Sequence, residues 1–182
     1  ANGDGANGII AGGTGNKVTE NNESLETSKV YLYNTNLNLE GWNNHVADVV
    51  YGGYAYLEKI NSTTGVNGSY SVGQASALAN DFGNGVVEVK NFETTTYGNR
   101  SAGAYVIGGG IITAEEAKFV SKMDAGLVIA SGGTFKVKNS EIVGQIALRN
   151  RGGITEGSIS TFSNVKLKVE KDIDNYTKGN KA

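Results

Sequence analysis

The sequence predicts an all-β fold, a single-domain right-handed parallel β-helix of about six coils, on three observations. An apolar run closed by glycine returns six times, over residues 9–13, 46–53, 77–85, 104–110, 127–133 and 146–153. An Asn follows most of these runs at the end of a strand-like stretch. The 182 residues include 27 Gly and no Pro and are 38% hydrophobic, which suits a turn-dense chain with a core one strip wide. One such unit cannot bury its own apolar face, so the units must stack.

Each element follows from residue type. Glycine corners are expected at Gly13, Gly53, Gly85, Gly110, Gly133 and Gly153, and the last five stand 32, 25, 23 and 20 residues apart. That uneven period suits coils whose loops differ in length. A second corner is expected at Asn34, Asn61, Asn91, Asn139 and Asn164, because Asn tolerates left-handed backbone and stacked amides can bond from coil to coil. The unit near Ile111 carries Glu115-Glu116 there instead. Alternation then resumes, as in Asn36-Leu37-Asn38-Leu39 and Val165-Lys166-Leu167-Lys168-Val169. The unit is therefore strand, Gly corner, strand, Asn corner, strand. Inward ladders are expected from Ile9, Val49, Leu78, Tyr105, Leu127 and Leu148, and from Leu32, Tyr56, Val87, Ile112 and Phe135.

Some segments leave the pattern. Residues 14–28, TGNKVTENNESLETS, read as a polar loop inserted in the first coil, and residues 61–71 as a second loop. Residues 172–182 form a polar tail, and the whole of 1–182 is one β-helix domain.

Charge and composition narrow the function classes. Without Cys there is no disulfide and no thiolate metal site. A net charge of −2 with both signs mixed offers no basic face to nucleic acid and no polybasic patch to a membrane. No apolar segment has membrane-spanning length. The start at Ala1 is read as a processed end with its signal already removed, which places the protein outside the cell or on its surface.

The succession Gly5-Ala6-Asn7-Gly8-Ile9-Ile10-Ala11, Tyr51-Gly52-Gly53, ASALANDFGNG over 75–85 and Val86-Val87-Glu88-Val89-Lys90-Asn91 resembles the right-handed parallel β-helix proteins of microbial surfaces, adhesin-like and pectate-lyase-like. The resemblance implies the fold, and that fold hosts both enzymes and passive stalks.

An enzyme reading, polysaccharide lyase or glycoside hydrolase, needs clustered carboxylates with a cationic base in one groove. The nearest candidates are Asp48 and Asp81, with Arg149 and Arg151 several coils away, and the two carboxylates hold different positions relative to their Gly corners. No catalytic, cofactor or metal residue is assigned. His45, the only histidine, reads as a polar turn residue beside Trp42. Asn2-Gly3-Asp4-Gly5 and Asp172-Ile173-Asp174 lack the terminal Glu of a Ca²⁺ loop, and Gly13-Thr14-Gly15-Asn16-Lys17 lacks the ending of a phosphate loop. Tyr51, Tyr54 and Tyr56 cluster at one corner, with Tyr31 and Tyr33 a coil below, and are candidate contacts for surface glycans.

The expected function is non-enzymatic and structural: an extracellular self-assembling filament or sheath subunit, or an adhesin stalk. Self-association is expected at the solenoid ends, through Ala1 to Gly8 and Val165 to Ala182, where strand edges lie. The alternative is a carbohydrate-binding or polysaccharide-degrading β-helix.

Overall fold

A computed structural model describes residues 7–12, 28–41, 43–65, 78–80, 84–151 and 157–170. These residues form strands β1 (Ile9–Gly12), β2 (Lys29–Leu39), β3 (Ala47–Val50), β4 (Tyr54–Thr64), β5 (Leu78–Asn80), β6 (Val86–Thr96), β7 (Ala104–Val106), β8 (Ile111–Glu115), β9 (Lys118–Ser121), β10 (Ala125–Ile129), β11 (Thr134–Gly144), β12 (Ile146–Asn150) and β13 (Ile159–Val169). No helix occurs among the described residues.

Every pairing is parallel. The short strands stack in the order β1-β3-β5-β7-β10-β12, and the long ones in the order β13-β11-β8-β6-β4-β2, with β9 between β6 and β11. The chain alternates between the two stacks as it climbs. The result is a parallel β-solenoid of six layers joined by five steps, about five turns.

The long strands carry the second corner inside them. Each eleven-residue strand bends at its sixth residue, and the six layers place Asn34, Lys59, Asn91, Glu116, Asn139 and Asn164 there, with φ between 49° and 56°. Registers such as Thr35↔Ile60↔Phe92 and Lys90↔Glu115↔Lys138↔Ser163 put these six bends in one column. Asn61 is not among them. It lies two residues past the bend, exposed and level with Asn36 and Glu93, because Lys59 takes the left-handed position. Residues 61–64 belong to β4 rather than to a loop, and 66–71 lie outside the described residues.

The first corner is a stack of tight turns. Val50–Gly53, Ile107–Gly110 and Ala130–Gly133 each close with a backbone bond of 3.0–3.2 Å from the last N–H to the first carbonyl. The two central residues of each are left-handed, the signature of a type I′ turn. The closing glycines form a column of their own: Gly53, Gly85, Gly110 and Gly133 donate no side chain, and their carbonyls accept from the first N–H of the next long strand at 2.9–3.1 Å. Crowding explains why they are bare. A Cβ on Gly110 would stand 2.5 Å from Asn80 Oδ1, and one on Gly133 2.8 Å from the Val106 carbonyl oxygen. Gly13 and Gly153 lie outside the described residues.

Alternation sends one set of side chains inward. Ala47-Leu78-Ala104-Leu127 line the short-strand sheet, Ala55-Val87-Ile112-Phe135 and Leu57-Val89-Ala114-Val137 the first arm of the long strands, and Phe119-Ile142 the second. All are essentially inaccessible, and each large one contributes about 1.5–3 kcal/mol by leaving water. Tyr56 and Tyr105 fall on the other phase. Their neighbours Leu57, Ala104 and Val106 point in, so both tyrosines face outward. Some inward positions are polar: Thr96 Oγ1 and Ser121 Oγ both donate to the Ser101 carbonyl, at 2.6 and 2.8 Å, and Asn80 Nδ2 donates to the carbonyls of Gly85 and Ile111 at 2.8 and 3.1 Å. These buried groups satisfy backbone oxygens at the corners.

Candidate functional site

Two surfaces stand out, the solenoid's end layers and one face of its first arm. The first layer is β1 with β2, and the last is β12 with β13. Among the described residues β2 has a neighbour on one side, β4, and β13 on one side, β11. Among the described residues, inward columns that are sealed in the middle are less covered at these ends. Val30, Leu32 and Leu37 are half-buried at one, Leu148, Phe162 and Val165 at the other, and Leu167 and Val169 are exposed by 53% and 66%. Asn7 and Gly8 belong to the first layer, Gly8 N donating to the His45 carbonyl at 2.8 Å while Asn7 Oδ1 accepts from His45 N at 2.9 Å. Residues 1–6 and 171–182, the remainder of the expected terminal segments, lie outside the described residues, as does the 14–27 part of the expected loop.

The second surface is aromatic. Tyr31 and Tyr33 on β2 and Tyr54 and Tyr56 on β4 all project to the outside, since Val30, Leu32, Ala55 and Leu57 take the inward phase. Ring centroids lie 5.8 Å apart for Tyr31–Tyr54 and Tyr33–Tyr56 and 6.4 Å for Tyr31–Tyr56, with planes tilted by 47–59°. Tyr54 is buried against Val86, whereas Tyr31 and Tyr33 are about half exposed. Carboxylates hold the phenols. Tyr54 Oη donates to Glu88 Oε2 and Tyr56 Oη to Glu58 Oε2, each at 3.1 Å. Burial, then the neighbouring carboxylate, pushes both phenols above the ordinary tyrosine range, so they remain donors. Tyr51 sits apart, at the left-handed first central position of the Val50–Gly53 turn.

The carboxylates considered for catalysis are dispersed. Asp48 lies on the outward phase of β3, where Asn7 Nδ2 donates to its Oδ2 at 3.2 Å and its Oδ1 is buried without a partner. Burial pushes its pKa up, partly offset by His45 and by the Asn7 bond. Arg149 shares that column four layers away, about 19 Å at the strand spacing, and is paired with Asp124 at 2.6 Å. Arg151 follows the end of β12, and Asp81 and Trp42 lie outside the described residues. Among the described residues no group of three or more His, Cys, Asp or Glu could hold a metal ion, and no helix is long and apolar enough to cross a membrane.

No family model, curated protein or solved structure matches this chain.

The spacing Tyr56-x-Glu58 already held one of the two phenol–carboxylate pairs in the sequence, because residues two apart in a strand share a face, whereas Tyr54–Glu88 joins neighbouring layers and needed the register. Glu115-Glu116 was placed at the second corner by its position in the repeat, whereas the role of Lys59 there had no residue-type signal.

Proposed function

We propose that this chain is an extracellular structural subunit that joins end to end with copies of itself, building a filament or sheath or extending an adhesin stalk. The observation that carries this is the congruence of the two end strands. β2 and β13 are both eleven residues long and both bend at the sixth, at Asn34 (φ 49°) and Asn164 (φ 51°). When β13 of one copy lies beside β2 of the next with these bends level, Phe162 meets Leu32, Val165 meets Thr35, Leu167 meets Leu37 and Val169 meets Leu39. Every one of these positions faces inward in its own layer, so the junction continues the core. β12 and β1 meet in the same way on the other sheet.

Such a contact joins unlike surfaces and repeats without closing, so it grows an open fibre. Main-chain bonds along the edge supply affinity and the half-buried apolar residues supply register. An extracellular setting suits a cysteine-free chain, which has no thiol to oxidise.

Negative-stain electron microscopy with size-exclusion chromatography over a range of concentrations tests the proposal. Unbranched fibres are expected, and Leu167→Glu, which places a charge in the junction at a position already 53% exposed in the single chain, should leave monomers. A wild-type chain that stays monomeric at every concentration would overturn it.

A further inference from the structure

We infer that the outward tyrosine face binds a neutral glycan chain lying along the solenoid axis. Two outward columns cross all six layers side by side. One runs Tyr31, Tyr56, Glu88, Thr113, Lys136, Thr161 and the other Tyr33, Glu58, Lys90, Glu115, Lys138, Ser163. The aromatic rings occupy the first two layers. At the far end the same two columns line a shallow groove of about 340 Å³, walled by Thr113, Glu115, Lys136, Lys138, Thr161 and Ser163. A track with rings at one end and hydroxyls and charges at the other matches a sugar chain, whose faces are apolar and whose rims are hydroxyl.

Three features select this ligand over others. The exposed aromatic part covers two layers only, and the columns beyond it are charged, with the Lys138–Glu115 ion pair at 3.2 Å across the fourth and fifth layers, which leaves too little apolar surface for a stable protein interface of about 800 Å² per partner. Glu58 and Glu88 each give one oxygen to a tyrosine, which leaves the other to accept from a sugar hydroxyl. The two columns carry three carboxylates (Glu58, Glu88, Glu115) and three ammonium groups (Lys90, Lys136, Lys138), so the track has no net charge to draw in a uronate, and Glu58 and Glu88 repel one beside the rings; the matching chain is neutral. The phenol–carboxylate bonds also fix the rings in place, reducing the entropy lost on binding. In a polymer of the kind proposed above, Thr161 and Ser163 of one copy would fall level with Tyr31 and Tyr33 of the next, and the track would run on. Binding by the single chain does not depend on that.

The test is isothermal titration of the full chain with hexasaccharides of β-1,4-linked glucose, β-1,4-linked mannose and α-1,4-linked galacturonate. At least one neutral hexasaccharide should bind, and galacturonate should not. The double variant Tyr31→Ala/Tyr33→Ala should bind on the order of tenfold more weakly, as should the milder Tyr33→Thr to a smaller degree, which covers the event that the double variant misfolds. Ile10→Ala, an exposed apolar change on the other sheet, should leave binding unaltered. Failure of both neutral chains to bind, preference for galacturonate, or binding indifferent to Tyr33→Thr would overturn the inference, whatever the state of assembly.

Discussion

Asn164 Nδ2 donates to Asn139 Oδ1 at 2.9 Å across one layer, and both residues hold left-handed backbone, at φ 51° and 50°. The bend and the amide bond reinforce each other: a left-handed residue turns the strand, and stacking equal bends brings equal side chains within reach. The column is nevertheless chemically mixed. Lys59 and Glu116 adopt φ 56° and 53° in it, where a long side chain gains none of the local hydrogen bonding that lets Asn visit this region.

Lys59→Asn should therefore stabilise the fold, by about 1 kcal/mol, since the left-handed conformation costs ordinary residues about 1–2 kcal/mol. The converse, Asn91→Lys, should cost a similar amount. Urea denaturation gives both, and a Lys59→Asn variant no more stable than the parent would remove strain as the account of this corner.

The sequence showed the glycine corners because crowding admits one residue type there, so Gly53, Gly85, Gly110 and Gly133 recur without exception. The second corner is set by backbone angle, which Asn favours without monopoly. That is why Asn61, two residues late, stood in for Lys59. The facing of Tyr56 and Tyr105 was lost for a different reason. With a period of two, an error of one residue turns a side chain from core to solvent, and bulky tyrosines read equally well on either face. The inward Thr96, Ser121 and Asn80 were illegible because polar residues in strands ordinarily point to water. The matching bends of β2 and β13 were not legible, because seeing them requires the register.

Gly110→Ala should destabilise by about 1–3 kcal/mol, the usual range for overpacking, because its Cβ would press on Asn80, whose amide bridges two corner carbonyls. Gly157→Ala meets nothing within 4 Å and should be neutral or slightly stabilising. Thermal unfolding of the pair separates close packing from a general intolerance of side chains at glycine positions. Equal effects would refute the packing argument.

Arg149→Met should cost about 2 kcal/mol, between the values for exposed and for buried pairs. The Asp124 side chain is 7% exposed and would lose its cation, while Arg149 at 30% is still reached by water. Adding Asp124→Asn should recover part of the loss, and a double-mutant cycle in urea measures the coupling. A coupling of zero would place the pair among ornamental surface contacts.

Asp48 gives a pH dependence of known sign. Burial holds its pKa in the folded chain above the ordinary 3.8, so the folded state keeps its proton more tightly than the unfolded state does. The group's contribution is therefore full below 3.8 and is lost as pH rises through the higher folded value. Asp48→Asn should abolish that decline, visible as a flatter plot of urea midpoint against pH from about pH 4 upward. Parallel plots for the two proteins would exclude Asp48 as its source.

The register proposed for the end-to-end junction can be read chemically, because the chain has no cysteine of its own to interfere. With Asn34 level with Asn164, Asn36 of one copy lies beside Lys166 of the next, both on the outward phase of their strands. Their Cα atoms would be about 4.8 Å apart, inside the range a disulfide spans. Shifting by two residues, so that Asn38 is paired with Lys166, stretches the separation to about 8 Å, beyond the limit of about 7 Å. Mixing Asn36→Cys with Lys166→Cys chains under mild oxidation should give covalent dimers, and Asn38→Cys with Lys166→Cys should give few. The reverse preference would mean that the fibre forms with its bends out of step, and then the apolar matches of Phe162 with Leu32 and Leu167 with Leu37 could not be what fixes the junction.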